Sequence, residues 1–228
     1  MTVLFSTAKS ATATTSFRDY LDDRIREGII DEDLASVLLG VSKSCAEVSR
    51  LLISHTLDQS NHEMVTTTVN VQGEQQKGMD VVANDVFVQT LSSVDAVVAM
   101  ASEEEEAVIY TSNENSSPAG YEIAFDPLDG SGNLDVNLPT GSIFGIATSH
   151  ENAFSRQGSD LVASGYALYS SSTELIVSMG IHQPVVGFTL LPDNDEFVLS
   201  RNNIRCPAHG PYYSLNEARE PDWADGLR

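Results

Sequence analysis

Apolar residues recur along the first part of the chain at helical spacing and along the rest at the spacing of strands. Phe17, Tyr20, Leu21 and Ile25 share one helical face behind Ser16, which stands three residues before Asp19 as in a capping box, and Gly28 ends the helix. A second helix opens on Asp31-Glu32-Asp33, acids that suit the positive end of its dipole. Leu34, Val37, Leu38, Val41, Cys45, Val48 and Leu52 keep its apolar face, which makes Cys45 a core thiol rather than a nucleophile. Residues 60–78 are polar and aperiodic and read as a loop. Met79, Val82, Val86, Phe87 and Leu91 predict a third helix with Asp80 in its first turn. Ala96 to Met100, Ala107 to Tyr110, Tyr121 to Phe125 and Ser142 to Ala147 predict strands. Leu161 to Tyr169, Glu174 to Met179, Val185 to Leu190 and Glu196 to Leu199 are extended or short helical runs separated by Gly, Pro and Asp. The pattern is that of an α/β protein, an α+β layered sandwich with N-terminal helices and mixed sheets. It divides into a disordered N-terminus at 1–15, a helical and sheet domain at 16–150, and an incomplete C-terminal domain at 151–228 that turns polar after Pro207 without a closing element.

Two acidic clusters fall where predicted strands end. Asp126-Pro127-Leu128-Asp129-Gly130-Ser131-Gly132-Asn133 follows the run Tyr121 to Phe125. Pro127 biases Asp126 towards an extended conformation, and Asp129 and Gly130 turn the chain, so that both acids can face one point. Gly130, Ser131 and Gly132 offer amides with little steric cover, suited to a phosphate. Ser102-Glu103-Glu104-Glu105-Glu106 follows the strand ending near Met100. If Glu103, Glu104, Asp126 and Asp129 converge, each pair about 4 Å apart repels by about 4 kcal/mol at an effective dielectric near 20, so the cluster calls for cations or raised pKa values.

Composition narrows the chemistry. The 228 residues hold 12 Lys and Arg against 33 Asp and Glu, a formal net charge of −21, which would repel nucleic acid and anionic membrane. An anionic substrate would have to be held through metal ions. Ligands that are all oxygen favour Mg²⁺, or Mn²⁺ in its place, over zinc. Two cysteines, Cys45 and Cys206, cannot make a disulfide framework, and no apolar run reaches membrane-spanning length. The residues alone therefore predict a metal-dependent phosphoryl hydrolase in a reducing compartment.

Taken together, these motifs resemble the class I fructose-1,6-bisphosphatase family. The segment Phe125 to Asp135 with Gly141-Ser142-Ile143-Phe144-Gly145-Ile146 is similar to its signature. Asn70 to Gln75, Asp80-Val81 with Asn84, Ser102-Glu103-Glu104, Ala163 to Tyr169 and Tyr213-Ser214-Leu215-Asn216-Glu217 fall in the family's order. The resemblance implies a sugar-phosphatase fold with its C-terminal domain truncated, and Mg²⁺-dependent hydrolysis of the 1-phosphate of fructose 1,6-bisphosphate to fructose 6-phosphate in carbohydrate metabolism, as in gluconeogenesis or the Calvin cycle. Sedoheptulose 1,7-bisphosphate hydrolysis, or a truncated inactive or regulatory subunit, are the alternatives. By the same resemblance Glu74, Glu103, Glu104, Asp126 and Asp129 are metal ligands, together with the Leu128 carbonyl. Asp80 and Glu104 position and deprotonate the attacking water. Asp129, Gly130, Ser131 and Gly132 hold the phosphate being cleaved, and Asn216 the distant one.

The expected partners are a small sugar bisphosphate and further copies of the chain, as a tetramer, with no nucleic acid and no membrane. The expected compartment is the cytoplasm, or alternatively the plastid. Gly132 stands where the family usually has a second Ser, and Arg219 where a Tyr is common. The cysteine-bearing insertion of the plastid enzymes has no counterpart between Ser149 and Asp160, so no thioredoxin-type activation is expected. His182, His209 and Cys206 read as surface bystanders, and Glu105 and Glu106 as solvated.

Overall fold

In a computed structural model the described residues are 14–58, 78–111, 120–150, 152–191 and 195–210, with the single positions 193, 212, 223, 224 and 226. Helix α1, Phe17–Arg26, begins as its spacing predicts. The Ser16 hydroxyl accepts from the Asp19 N–H at 3.1 Å, and the Asp19 carboxylate accepts in return from the Ser16 N–H at 3.4 Å. Removing this reciprocal cap by Ser16→Ala should cost about 1 kcal/mol, readable as a lower midpoint in urea unfolding with an unchanged slope. Gly28 takes φ 71° after the last turn, where an L side chain would be strained.

Helix α2, Glu32–Asp58, is capped by Asp31, whose carboxylate accepts from the Leu34 N–H at 2.7 Å and from the Tyr121 hydroxyl at 2.8 Å. That second bond pins the start of α2 to the start of a strand ninety residues on. Helix α3 runs Gly78–Ser92.

The remaining elements are strands β1 (Val97–Ser102), β2 (Ile109–Tyr110), β3 (Tyr121–Asp129), β4 (Thr140–Thr148), β5 (Ala163–Tyr169), β6 (Thr173–Ser178), β7 (Val185–Leu191) and β8 (Glu196–Ile204), with a 3-10 segment at Ser131–Val136. They form an eight-stranded sheet in the order β2-β1-β3-β4-β5-β6-β7-β8. Among the described residues only β1 and β3 pair in parallel; every other neighbour pair is antiparallel. The four ambiguous apolar runs after residue 160 are thus all strands, and hairpin pairing decides what short runs could not. β4 and β5, on either side of residue 150, lie paired from Thr140 to Ile146. Between them the polar connector folds back on Glu122, which is only 2% exposed. The Phe154 N–H donates to its carboxylate at 3.2 Å, and Arg156 pairs with it at 3.4 Å.

The helices cover one face of the sheet. Val37, Leu38 and Val41 of α2, Phe87 and Leu91 of α3, and Ile123, Ile146, Val177 and Phe188 of the sheet are fully buried in one core. Cys45 lies within it, as its helical position predicts. Phe87 stacks on Phe125 at 5.1 Å between centroids, and this contact fixes α3 over β3. Among the described residues no helix is long and apolar enough to cross a membrane.

Candidate functional site

Parallel pairing of β1 with β3 creates the site. The two strands are in register at Ser102 and Phe125, so whatever follows each leaves the sheet at the same edge. The Glu103 N–H donates to the Phe125 carbonyl at 3.1 Å, which places the acidic turn after β1 directly beside Asp126.

The strand does not end at Phe125, as the apolar run suggests in sequence; β3 continues to Asp129 through a bulge. Against β4, Asp126 pairs with Ile143 and Asp129 with Gly141, so three steps on one strand oppose two on the other. Pro127 has no N–H to give the ladder, and the Leu128 N–H turns instead to the Asp126 carboxylate at 3.0 Å. Pro127 and Leu128 are buried, Asp126 is half-buried and Asp129 is exposed. The turn comes at Gly130, where the sequence places it with Asp129, and Gly130 adopts φ 76° and ψ 29°. Its carbonyl accepts from the Asn133 N–H at 2.8 Å, and the Asn133 side chain donates to the Pro139 carbonyl at 2.8 Å. These bonds close the loop while Gly130 and Gly132 stay exposed, and a Cβ at Gly132 would meet nothing within 4 Å. An open hollow of about 270 Å³ borders Asp129 and Gly130 and is lined further by Ile143, Tyr166 and Leu168.

Helix α3 brings the remaining acid. Asp80 is only 3% exposed, and Asn84, one turn on, is buried beside it. The Ser102 hydroxyl donates to the Asn84 side-chain oxygen at 2.7 Å, the Asn84 amide donates to the Glu105 carboxylate at 2.8 Å, and the Glu104 N–H donates to the Ser102 hydroxyl at 3.3 Å. Glu105 and Glu106 are exposed as predicted, yet Glu105 anchors the acidic turn to α3, a use that four consecutive acids do not reveal. Burial pushes the Asp126 carboxyl up to about 6, helped by the charges of Asp129, Glu104 and Asp80 and opposed by the Leu128 N–H. Asp80, Glu104, Asp126 and Asp129 therefore share one electrostatic neighbourhood. Among the described residues no three acidic, histidine or cysteine side chains close into a preformed metal cage. Glu74 and Asn216 lie outside the described residues.

Below the bulge the Ser142 hydroxyl donates to the Pro127 carbonyl at 2.7 Å and lies 2.7 Å from the Tyr169 hydroxyl. Strand alternation puts Ser142 on the core side with Phe144, and nothing further in the sequence shows what it meets. His182, His209 and Cys206 are exposed. The Cys45 thiol is pushed up to about 12 by complete burial, which is not the setting of a redox switch. Treatment with a reduced dithiol should leave metal binding and any phosphate release unchanged; a reproducible rise would contradict this.

Comparison with known proteins matches this arrangement. Residues 27–202 match the family model described as "Fructose-1-6-bisphosphatase, N-terminal domain". The chain is 37% identical to the class 1 fructose-1,6-bisphosphatase of Hydrogenophilus thermoluteolus over 92% of its own length and 60% of the relative's. It is 36% identical to the chloroplastic enzyme of Pisum sativum, covering 89% of itself and 54% of that protein. The chain thus spans about half to three-fifths of the length of these curated relatives. The solved structure of Leishmania major fructose-1,6-bisphosphatase in holo form superposes with a TM-score of 0.81 at 28% identity, covering 93% of this chain and 66% of that one. With a family model matched across most of its length, the acidic strand edge at Asp126 and a matching fold behind it, this chain belongs to the fructose-1,6-bisphosphatase family.

Proposed function

We propose that the chain carries the catalytic half of a divalent-metal-dependent sugar bisphosphatase, hydrolysing the 1-phosphate of fructose 1,6-bisphosphate. The observation that carries this reading is the gathering of Asp80, Glu104, Asp126 and Asp129 at the edge shared by β1 and β3, beside the exposed Gly130 to Gly132 segment. The donor set fits a hard cation. It is all oxygen, and Asp126, raised chiefly by burial, also feels the charges of Asp129, Glu104 and Asp80. Glu103, Glu104, Asp126, Asp129 and the Leu128 carbonyl, with Glu74, would hold Mg²⁺ or Mn²⁺. Such ions supply positive charge to the phosphate and acidity to a water molecule.

The chain's own residues do the rest. The amides from Gly130 to Gly132 receive phosphate oxygens, because the left-handed turn at Gly130 leaves them open on the surface. Asp80 and Glu104 take the proton from the attacking water. The open hollow beside Asp129 and Gly130 leaves room for the sugar, whose distant phosphate is assigned to Asn216 by the family resemblance.

The test is phosphate release by the purified chain with Mg²⁺ and fructose 1,6-bisphosphate, with sedoheptulose 1,7-bisphosphate in a parallel arm. Faster release from the fructose substrate supports the proposal. Faster release from the heptulose would reassign the substrate. No release from either, despite Mn²⁺ binding, would make this chain a regulatory or inactive subunit. Sedimentation in the same buffer would test the proposed homo-oligomer.

A further inference from the structure

Pro127 poses an accounting problem. It sits inside the bulge of β3, where the register with β4 shifts, and is buried, so its carbonyl needs a partner within the protein. Its partner is a side chain, the Ser142 hydroxyl on β4, at 2.7 Å. A carbonyl can only accept, so Ser142 spends its single proton there. The Tyr169 hydroxyl, 2.7 Å from Ser142, must then be the donor to Ser142. Tyr169 pairs with Thr140 across β4 and β5, which makes it the diagonal neighbour of Ser142 on the same face.

Both hydroxyl-bearing residues are buried: Ser142 is 0% exposed and Tyr169 is 6% exposed. Burial also raises the Tyr169 hydroxyl well above its ordinary range, which keeps it a donor throughout neutral pH. The two hydroxyls and the carbonyl therefore form a one-way chain from β5 through β4 to the backbone between Asp126 and Leu128. In a low-dielectric interior each bond of such a chain strengthens the next.

We infer that Ser142 and Tyr169 are positioning residues for the candidate site, holding the Pro127 carbonyl so that the bulge presents Asp126 and Asp129 to the strand edge at a fixed offset from Glu104. This rests on the metal-site reading above for its consequence, though not for its geometry. The residues two steps away from the acids, rather than the acids themselves, set where those acids stand.

Two measurements test it. In the metal-free protein, exchange of the Leu128 amide, whose hydrogen bond to Asp126 lies next to Pro127, is followed by NMR in wild type, Ser142→Ala, Ser142→Thr and Tyr169→Phe. Ser142→Ala should speed exchange at least about tenfold and Tyr169→Phe by less, while Ser142→Thr, which keeps the hydroxyl, should restore the wild-type rate. Calorimetric titration with Mn²⁺ should follow the same order. Affinity should fall about tenfold in Ser142→Ala and about threefold in Tyr169→Phe, and stay near wild type in Ser142→Thr, with the double variant Ser142→Ala/Tyr169→Phe no weaker than Ser142→Ala alone. If wild type fails to bind Mn²⁺, the metal-site reading fails and the exchange rates still judge the inference. Folded variants with a lowered melting temperature but unchanged Leu128 exchange would reduce both residues to ordinary core packing and overturn it. Should Ser142→Ala not fold, Tyr169→Phe keeps its ring in the core and carries both measurements.

Discussion

Asp126→Asn is expected to lose Mg²⁺-dependent phosphate release by at least about a thousandfold while making the metal-free protein more stable at pH 8. The loss follows from the proposed role: removing one charged ligand from an all-oxygen site forfeits several kcal/mol of charge stabilisation, and about 4 kcal/mol is a thousandfold in rate. The stability gain follows from the push on this carboxyl, from its ordinary 3.8 up to about 6. A raised acid holds its proton more tightly in the folded state than in the unfolded one. Stability is therefore present at low pH and falls as pH rises from near 4 to about 6, after which the full penalty persists. Two units would be about 3 kcal/mol, but the side chain is half-buried and screened by solvent, so about 1 kcal/mol is a fairer figure. Asparagine keeps the acceptor for the Leu128 N–H and carries no charge. Its melting temperature in chelator should exceed wild type by about 2–4 °C at pH 8 and match it near pH 4. Undiminished turnover would remove Asp126 from the site, and a variant less stable than wild type at pH 8 would show that the ionised Asp126 carries no net penalty in the folded protein.

How far the site is legible in the sequence depends on the kind of information each residue carries. The apolar stripes of α1, α2 and α3 are local, and Ser16, Asp31 and Asp80 mark their beginnings by chemistry that acts within one turn. The strands after residue 160 are short apolar runs whose state is set by their neighbours, which is why both extended and helical readings stay open there. The run Tyr121 to Phe125 reads as a strand that ends before Asp126, because Pro127 ordinarily ends a ladder. Here its missing N–H is absorbed by the extra residue, and its carbonyl by Ser142.

The convergence of Glu104 with Asp126 depends on β1 choosing β3 as a parallel partner across a long connection, and no local pattern encodes that choice. What the acids alone can suggest is a raised carboxyl, and Asp126 carries it, with burial the larger cause and the neighbouring charges the smaller. Glu105 shows the converse. It is exposed, as a run of acids predicts, yet its carboxylate is the fixed end of the Ser102 and Asn84 chain. Glu122 and Arg156 belong with it, since nothing in a polar connector announces that one of its cations will close over a buried acid in β3.

Phe188→Ala is expected to be the most destabilising single change in the described structure, with no effect on metal binding. Phe188 on β7 is 0% exposed, and two residues of α1 stand on it edge to face: Phe17 at 4.7 Å and Tyr20 at 5.4 Å between ring centroids. α1 is only ten residues long, too short to be stable alone, so this aromatic cluster and its cap are what hold it to the sheet. Truncating the ring should cost about 3–5 kcal/mol through lost burial and the cavity left behind, and both edge-to-face pairs disappear with it. Against a total of about 5–15 kcal/mol for a domain, that is a large share. The loss should be local in its first expression: amides of α1 exchange fastest, ahead of those in α2 and β3, because α1 touches the sheet chiefly at β7 and β8. Phe188→Leu should recover roughly half of the loss, since it refills volume without restoring the aromatic pairing. The candidate site lies at β1 and β3, on the other side of the sheet order, so Mn²⁺ affinity measured on the folded fraction should be unchanged. Urea unfolding of the three proteins, with the titration run alongside, checks each part. A cost below about 1 kcal/mol would mean that α1 packs on the sheet by other means, and a weakened Mn²⁺ site would mean that the two ends of the sheet are coupled.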